Sequence, residues 1–244
     1  MPDQSEYVGP IFAREDSLSP LELEALSLSL RVSSCAVLFS LPLGILVAWV
    51  LARRRFPGKI LLDGLVHLPL VLPPVAVGYL LLLTMGRHGG IGGWLYQNFG
   101  LSFVFNWKGA ALASAVMAFP LMVRAMRLSF ESVDRGIEAA AASLGAPPFD
   151  VFLRVTLPLS MPGIVAGIIL GFARSLSEFG ATITFAANIP GQTRTLPVAL
   201  YGVTQTAGGD AEALRLCLIS IALALLTLVA SDLLARRLEK GLKG

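Results

Sequence analysis

The sequence predicts an all-α integral membrane protein of about five transmembrane helices, on three observations. Hydrophobic residues make up 55% of the 244-residue chain and charged residues only 14%, where a soluble domain carries roughly a quarter charged residues. Apolar runs of about 20 residues, the length needed to cross the hydrocarbon of a bilayer, recur along the chain. Lys and Arg gather at the ends of those runs, where they orient a membrane protein. The net charge of +3 and pI near 9.1 therefore reflect topology, and a nucleic-acid partner is not expected.

The first span is read at Leu26–Leu51 and is followed by Arg53, Arg54, Arg55 and Lys59. The preceding segment, residues 1–20, is acidic through Asp3, Glu6, Glu15 and Asp16, unlike a cleavable signal, which begins basic. It is expected to remain as an external tail. Cys35 in this span and Cys217 in the last read as small apolar packing residues, with neither a disulfide framework nor a metal site.

The second span, Ile60–Met85, carries His67-Leu68-Pro69-Leu70-Val71-Leu72-Pro73-Pro74. An interior Pro removes a backbone donor and clashes with the preceding turn, so this helix should kink or break. Two readings stand: a pathway-lining or hinge helix around Pro73 and Pro74, or a structural kink inside the bundle. His67 reads as a local hydrogen-bonding residue.

The third span is Gly109–Leu128 and the fourth Ile164–Ala187. Arg124, Arg127, Arg135 and Arg154 surround the gap between them. Gly163, Gly167 and Gly171 recur every four residues, a small face that lets helix backbones approach closely, either within this subunit or at a dimer seam. The fifth span, Leu214–Leu234, ends in Arg236, Arg237, Lys240 and Lys243. Twelve of the 19 Lys and Arg thus share one side. That side is predicted to be cytoplasmic, with the N-terminus outside and the C-terminus inside. Segments 86–108 and 188–213 become external loops, and their Trp94, Tyr96, Trp107 and Tyr201 suit the interfacial aromatic belt.

The cytoplasmic segment 131–160 has the richest local pattern. Ile137, Ala140, Ala141 and Leu144 follow i, i+3, i+4, i+7 and form one apolar stripe of a short helix. Gly145 can take the left-handed conformation that ends it, and Pro147-Pro148 prevent continuation. Phe149, Phe152, Leu153 and Thr156 repeat the spacing, with Asp150 in the first turn, where the helix dipole favours a carboxylate. Two short amphipathic helices hinged at a glycine follow. By pattern alone they read rather as interfacial helices lying on the lipid surface.

The segment Glu138-Ala139-Ala140-Ala141-Ala142-Ser143-Leu144-Gly145, followed by Val155-Thr156-Leu157-Pro158, resembles the cytoplasmic "EAA" loop of permease subunits of ATP-binding-cassette (ABC) importers. Ala140, Ala141, Gly145, Val155, Leu157 and Pro158 fall in register with that motif. Ala139 stands at the usual Glu position, with Glu138 one residue earlier. The resemblance implies that Glu138, Ala140, Ala141, Leu144, Gly145, Phe149, Phe152, Val155, Leu157 and Pro158 form helices that dock into a separate ATPase.

Residues 67–79 (HLPLVLPPVAVGY), 119–128 (FPLMVRAMRL), 174–196 (RSLSEFGATITFAANIPGQTRTL) and 205–210 (QTAGGD) further resemble the permease subunits of molybdate importers, with an outline shared by sulfate and tungstate permeases. The likeness runs from about Leu21 to Leu238. It implies a type I importer permease domain over 21–238, a short cytoplasmic tail at 239–244, and residence in the bacterial cytoplasmic membrane. It also implies a homodimer of permeases, two ATPase subunits and an external binding protein that delivers the oxyanion. Molybdate is a dianion, and about 100 mV, negative inside, opposes its accumulation by about 4.6 kcal/mol. Energy is required, yet no phosphate-binding Gly-x-x-x-x-Gly-Lys-Ser/Thr loop is present. ATP is therefore expected on the partner subunit, with no cofactor or metal held by this chain and no catalytic residue in it.

Arg174 and Glu178 lie one helical turn apart. They either neutralise each other or meet the oxyanion in the pathway, beside Ser175, Thr182, Pro73 and Pro74. Ser177 and Thr184 could also donate neutral hydrogen bonds. An ion-coupled secondary transporter would need mid-membrane coupling residues and often internal repeats, neither of which is evident. An intramembrane enzyme would need a metal motif or a nucleophile–base constellation.

Overall fold

The computed structural model describes residues 18–243, without the side chains of Ser231, Asp232 and residues 234–243. Nearly all of the expected external tail, including its four acidic residues, lies outside the described residues, as do the basic side chains that close the chain. Helix α1 (Pro20–Arg53) opens with a capping box: the Glu22 amide donates to Ser19 Oγ at 3.3 Å and the Ser19 amide to Glu22 Oε2 at 2.7 Å. Its charge-free stretch, residues 32–52, would rise about 32 Å, close to the thickness of bilayer hydrocarbon.

The second span is two helices, α2 (Lys59–Val71) and α3 (Pro74–Met85), bent by 115°. The cause is local. A residue before proline is driven out of the helical region, and the tandem Pro73-Pro74 does this twice, to Leu72 (ψ 144°) and to Pro73 (ψ 133°). Pro74 then suits the first position of the new helix, where no amide donor is needed. Pro69, by contrast, stays inside α2.

Helix α4 (Gly90–Phe99) occupies the expected loop between residues 86 and 108, and α5 (Trp107–Ser132) is the third span. The short elements that follow are α6 (Arg135–Ser143), α7 (Pro148–Val151), a π-helical turn (Phe152–Thr156) and α8 (Leu157–Leu159). The fourth span needs correction. Helix α9 (Met161–Leu176) stops well before Ala187, and a separate α10 (Gly180–Ala186) follows a break at residues 177–179. The segment after it is more than a loop, because it contains α11 (Leu196–Thr204). The last span, α12 (Asp210–Lys243), carries on as helix through the stretch expected to be a tail. By length and composition α1, α5 and α12, together with the bent pairs α2–α3 and residues 148–159 with α9 (67°), could span a membrane, giving up to five crossings among the described residues.

Helix α5 is the centre of the bundle, packed against α1 and α9. The glycine ladder of α9 lies on α5 of the same chain: a Cβ at Gly163 would stand 2.1 Å from Ser129 Cβ, and one at Gly171 2.4 Å from Met122 Cγ. The small-residue face is therefore an intrasubunit seam. Helix α12 lies outside this core against α9 and α11, held at its start by Arg215 on the buried Glu22 carboxylate (3.0 Å).

Candidate functional site

Two groups of residues stand out, at the end of the bundle where α1 and α5 finish and at the junction of the broken spans. At the first, the sequence builds α6 as expected. Asp134 caps it, accepting the Gly136 amide at 2.8 Å. Gly145, at φ +92°, ends it: its amide reaches Ala142 O (3.0 Å), and the Ala146 amide reaches Ala141 O (3.2 Å). These two bonds are a complete Schellman motif. The apolar stripe faces away from the subunit, with Ile137 47% and Leu144 90% exposed.

The second stripe is not one face. Phe149 (70% exposed) and Leu153 (41%) point outward. Phe152 turns inward between Trp49 and Phe130, with ring centroids 5.4 and 6.4 Å away, and Thr156 is buried. The reason is that regular helix ends at Val151 and gives way to the wider π turn, which re-aims the residues that follow. Val155 and Leu157 are half-buried within and after that turn. Pro158 is exposed and sits where a first-turn proline costs no hydrogen bond. Ala140 is exposed on α6 and Ala141 half-buried.

Glu138 has a clear place. One carboxylate oxygen accepts from Thr156 Oγ1 at 2.6 Å and pairs with Arg53 Nη2 at 3.1 Å. The same guanidinium nitrogen donates to Val133 O at 2.9 Å. Arg53, read from sequence only as a charge marking the end of a span, thus ties α1 to the ends of α5 and α6. Nothing in its sequence context separates it from Arg54 and Arg55, and only the fold selects it. Nearby, Arg127 of α5 bridges Asp63 (3.0 Å) and Glu131 (2.8 Å), fastening α2 to α5. His67 bonds locally, to Asp63 O at 2.9 Å.

At the second group, the two breaks meet. A Cβ on Gly180 would lie 2.8 Å from Pro74 Cβ, and one on Gly78 2.7 Å from Ala181 O, so α10 nests on the start of α3. Arg174 and Glu178 pair at 2.7 Å, with the Glu178 side chain 1% exposed. The other Glu178 oxygen accepts the Ala181 amide at 2.8 Å. Both carboxylate oxygens are therefore engaged, and Glu178 staples α9 to α10. The hydroxyls divide. Ser177 and Thr184 are spent on carbonyls of their own chain segment, Arg174 O and Gly180 O. Ser175 and Thr182 are buried with no hydrogen-bond partner among the described residues.

The stretch 187–195, which carries part of the sequence likeness to oxyanion permeases, is a tightly held turn. Buried Thr193 donates to Ala187 O (2.8 Å) and accepts the Ile189 amide (2.9 Å), while Ala187 sits at φ +64°, a conformation that costs an L-residue about 1–3 kcal/mol. The Gly191 amide donates to the Glu24 carboxylate of α1. The sequence reading did not single out Thr193 or Glu24.

An all-helical body with bent spans and short helices projecting from one end is the architecture of ABC importer permeases. Solved structures share it: a bacterial ABC transporter involved in alginate import (TM-score 0.71, 19% identity, 90% of this chain and 80% of that one) and the MetNI methionine ABC transporter in inward-facing conformations (TM-score 0.67, 16% identity, 91% and 99%). The chain belongs to the family of binding-protein-dependent transport system inner membrane components, whose model matches residues 40–244. It is 62% identical to the molybdenum transport system permease protein ModB of Escherichia coli K12 over 219 residues, covering 90% of this chain and 96% of that protein. The corresponding protein of Haemophilus influenzae is 58% identical over 222 residues, covering 91% and 97%. A probable sulfate transport permease of Nephroselmis olivacea is 37% identical over 183 residues, covering 75% and 64%.

Proposed function

We propose that this chain is the membrane-spanning subunit of an ATP-driven importer that carries molybdate across the cytoplasmic membrane by alternating access. The observation that carries the reading is the 62% identity to a molybdenum transport permease over nine-tenths of the chain. The exposed apolar residues of segment 131–160 support its coupling half. Leu144 and Phe149 leave surface uncovered that a second protein would bury, and that protein is the ATPase, on which ATP is bound and hydrolysed.

The working assembly is two copies of this chain along a two-fold axis, two ATPases at the cytoplasmic end and a binding protein at the other, with the N-terminus outside and the C-terminus inside. Residues 21–238 are the membrane domain. ATPase closure pushes on Leu144, Gly145 and Phe149. The Arg53–Glu138–Thr156 contacts pass that displacement to α1 and α5, and Phe152, seated between α1 and α5 rings, moves with them. Where the α9–α10 break meets the α2–α3 elbow, Arg174, Ser175, Glu178 and Thr182, with Pro73-Pro74, line the pathway. The free hydroxyls of Ser175 and Thr182 suit an ion that must leave again, since neutral donors hold a dianion only weakly.

The test is intracellular molybdenum, measured by elemental mass spectrometry at nanomolar molybdate, in cells lacking the gene and with it restored. Gene-dependent accumulation that resists excess sulfate is expected. Gene-dependent sulfur uptake without molybdenum would move the substrate to sulfate, a second reading favoured by the likeness to the sulfate permease. Uptake that persists without any ATPase would overturn the importer assignment.

A further inference from the structure

We propose that the outer cleft between α1 and α5 binds an anionic phospholipid at the membrane boundary marked by Trp107. The two helices run in the same direction: Arg31 of α1 lies 3.9 Å over the Trp107 ring at the start of α5, and Arg53 reaches Val133 O beyond its end. Between them opens a cavity of about 410 Å³. Its walls are Cys35, Ala36 and Phe39 on α1 and Ala111, Leu112 and Ala115 on α5, with Phe103 and Trp107 at one end.

The charges sit at one end only. Arg31 lies one turn before Cys35 on the same face of α1, and Lys108 one turn before Leu112 on α5. Both are exposed, and among the described residues neither has a carboxylate partner. From the cations to Phe39 and Ala115 the cleft descends about 10–12 Å at the helical rise. Arg31 also closes the charge-free stretch of α1 at the hydrocarbon boundary, the depth at which a phosphate would lie. A surface whose polar end carries two cations without a carboxylate partner among the described residues, above an uninterrupted apolar slot, matches one ligand, a negatively charged headgroup with an acyl chain. A free phosphate would leave the slot empty. A neutral lipid would leave the cations unpaired. Phe39, 79% exposed at the bottom of the slot, would lie along the chain.

The experiment is native mass spectrometry of the full-length protein with its ATPase, released from nanodiscs of mixed phosphatidylglycerol and phosphatidylcholine. Wild type should retain phosphatidylglycerol in preference. The double variant Arg31→Gln/Lys108→Gln should lose that preference by about 30-fold, the product of two interfacial cations. Ala115→Phe, which fills the slot and leaves the charges, should lose retention of both lipids. In a thermal-shift arm, phosphatidylglycerol should stabilise wild type and not the double variant, whereas glycerol phosphate without acyl chains should do nothing. Equal retention by wild type and the double variant would overturn the proposal, as would equal protection by glycerol phosphate. A disulfide between the Cys35 residues of two copies in a Cys217→Ser background would also overturn it, by showing that a second copy fills the cleft.

Discussion

The seam between α5 and α9 and the segment α6–α8 are joined at Ser160, yet they solve opposite problems. At the seam, α9 presents glycines so that backbone meets side chain with no room to spare, and Ser129 Oγ donates to Ser160 O (3.2 Å) where the two regions meet. In the segment, apolar side chains stand uncovered, and the subunit holds it by polar contacts at Glu138 and by Phe152 seated between Trp49 and Phe130. The seam is complete within one chain. The segment leaves Ile137, Leu144 and Phe149 exposed. In lipid there is no hydrophobic drive to bring helices together, so close fit must do it. In water that drive exists, and the uncovered residues of α6–α8 are the ones the proposed ATPase contact would use.

This contrast can be broken most severely at Gly163. Gly163→Leu should force α9 off α5, costing about 3 kcal/mol or more as overpacking, and the protein should fail to accumulate in membranes by immunoblot. Glu138→Ala comes next. It leaves Arg53, whose side chain is 9% exposed, facing no carboxylate, at a cost of about 3 kcal/mol for a broken buried pair. The subunit should still insert, melt lower, and hydrolyse more ATP per molybdate carried, as measured in proteoliposomes. Glu138→Gln, which keeps an acceptor for Thr156, should lose less.

Phe149→Ala sharpens the comparison from the other side. The ring is 70% exposed, so the melting temperature of the isolated subunit should not move. Affinity for the ATPase should fall by about 2 kcal/mol, some 30-fold, as an interface anchor would, and titration by microscale thermophoresis reads this. An unchanged affinity would remove Phe149 from the docking face. The smallest effect is at Gly145, where an alanine at φ +92° costs about 1–2 kcal/mol. Its mark should be faster amide exchange in α6 alone.

Much of this contrast was legible in the sequence. The four-residue glycine spacing gave a close-packed face, and composition with Gly145 and Pro147-Pro148 gave a hinged pair of short helices. The partner of the glycine face was not legible, because Ser129 and Met122 look like any residues of an apolar run. The π turn was hidden for a related reason: Phe152 and Thr156 fit a helical period, and only packing of Phe152 between Trp49 and Phe130 shows which way they point. The end of α9 is not legible because Phe179, Ala181, Ile183, Phe185, Ala186 and Ala187 keep the segment apolar on balance beyond the Ser177-Glu178 interruption. Helix there yields to a carboxylate cap and a Gly180–Pro74 contact, both set by tertiary neighbours. The tandem proline declared a break, but its 115° angle came from two successive extended residues. For Arg174 and Glu178 the spacing was enough to pair them, whereas the capping of α10 by Glu178 needed the break to be known.

The nesting of Gly180 on Pro74 has a consequence for how the chain is made. An insertion machine handling α2 and α3 receives a long apolar segment with nothing yet to hold its elbow. The helix that fits into the elbow is synthesised about 100 residues later, roughly 5–20 s at ordinary elongation rates. During that interval the elbow, already bent by its own prolines, waits without its packing partner, exposed to lipid or to a chaperone of the membrane.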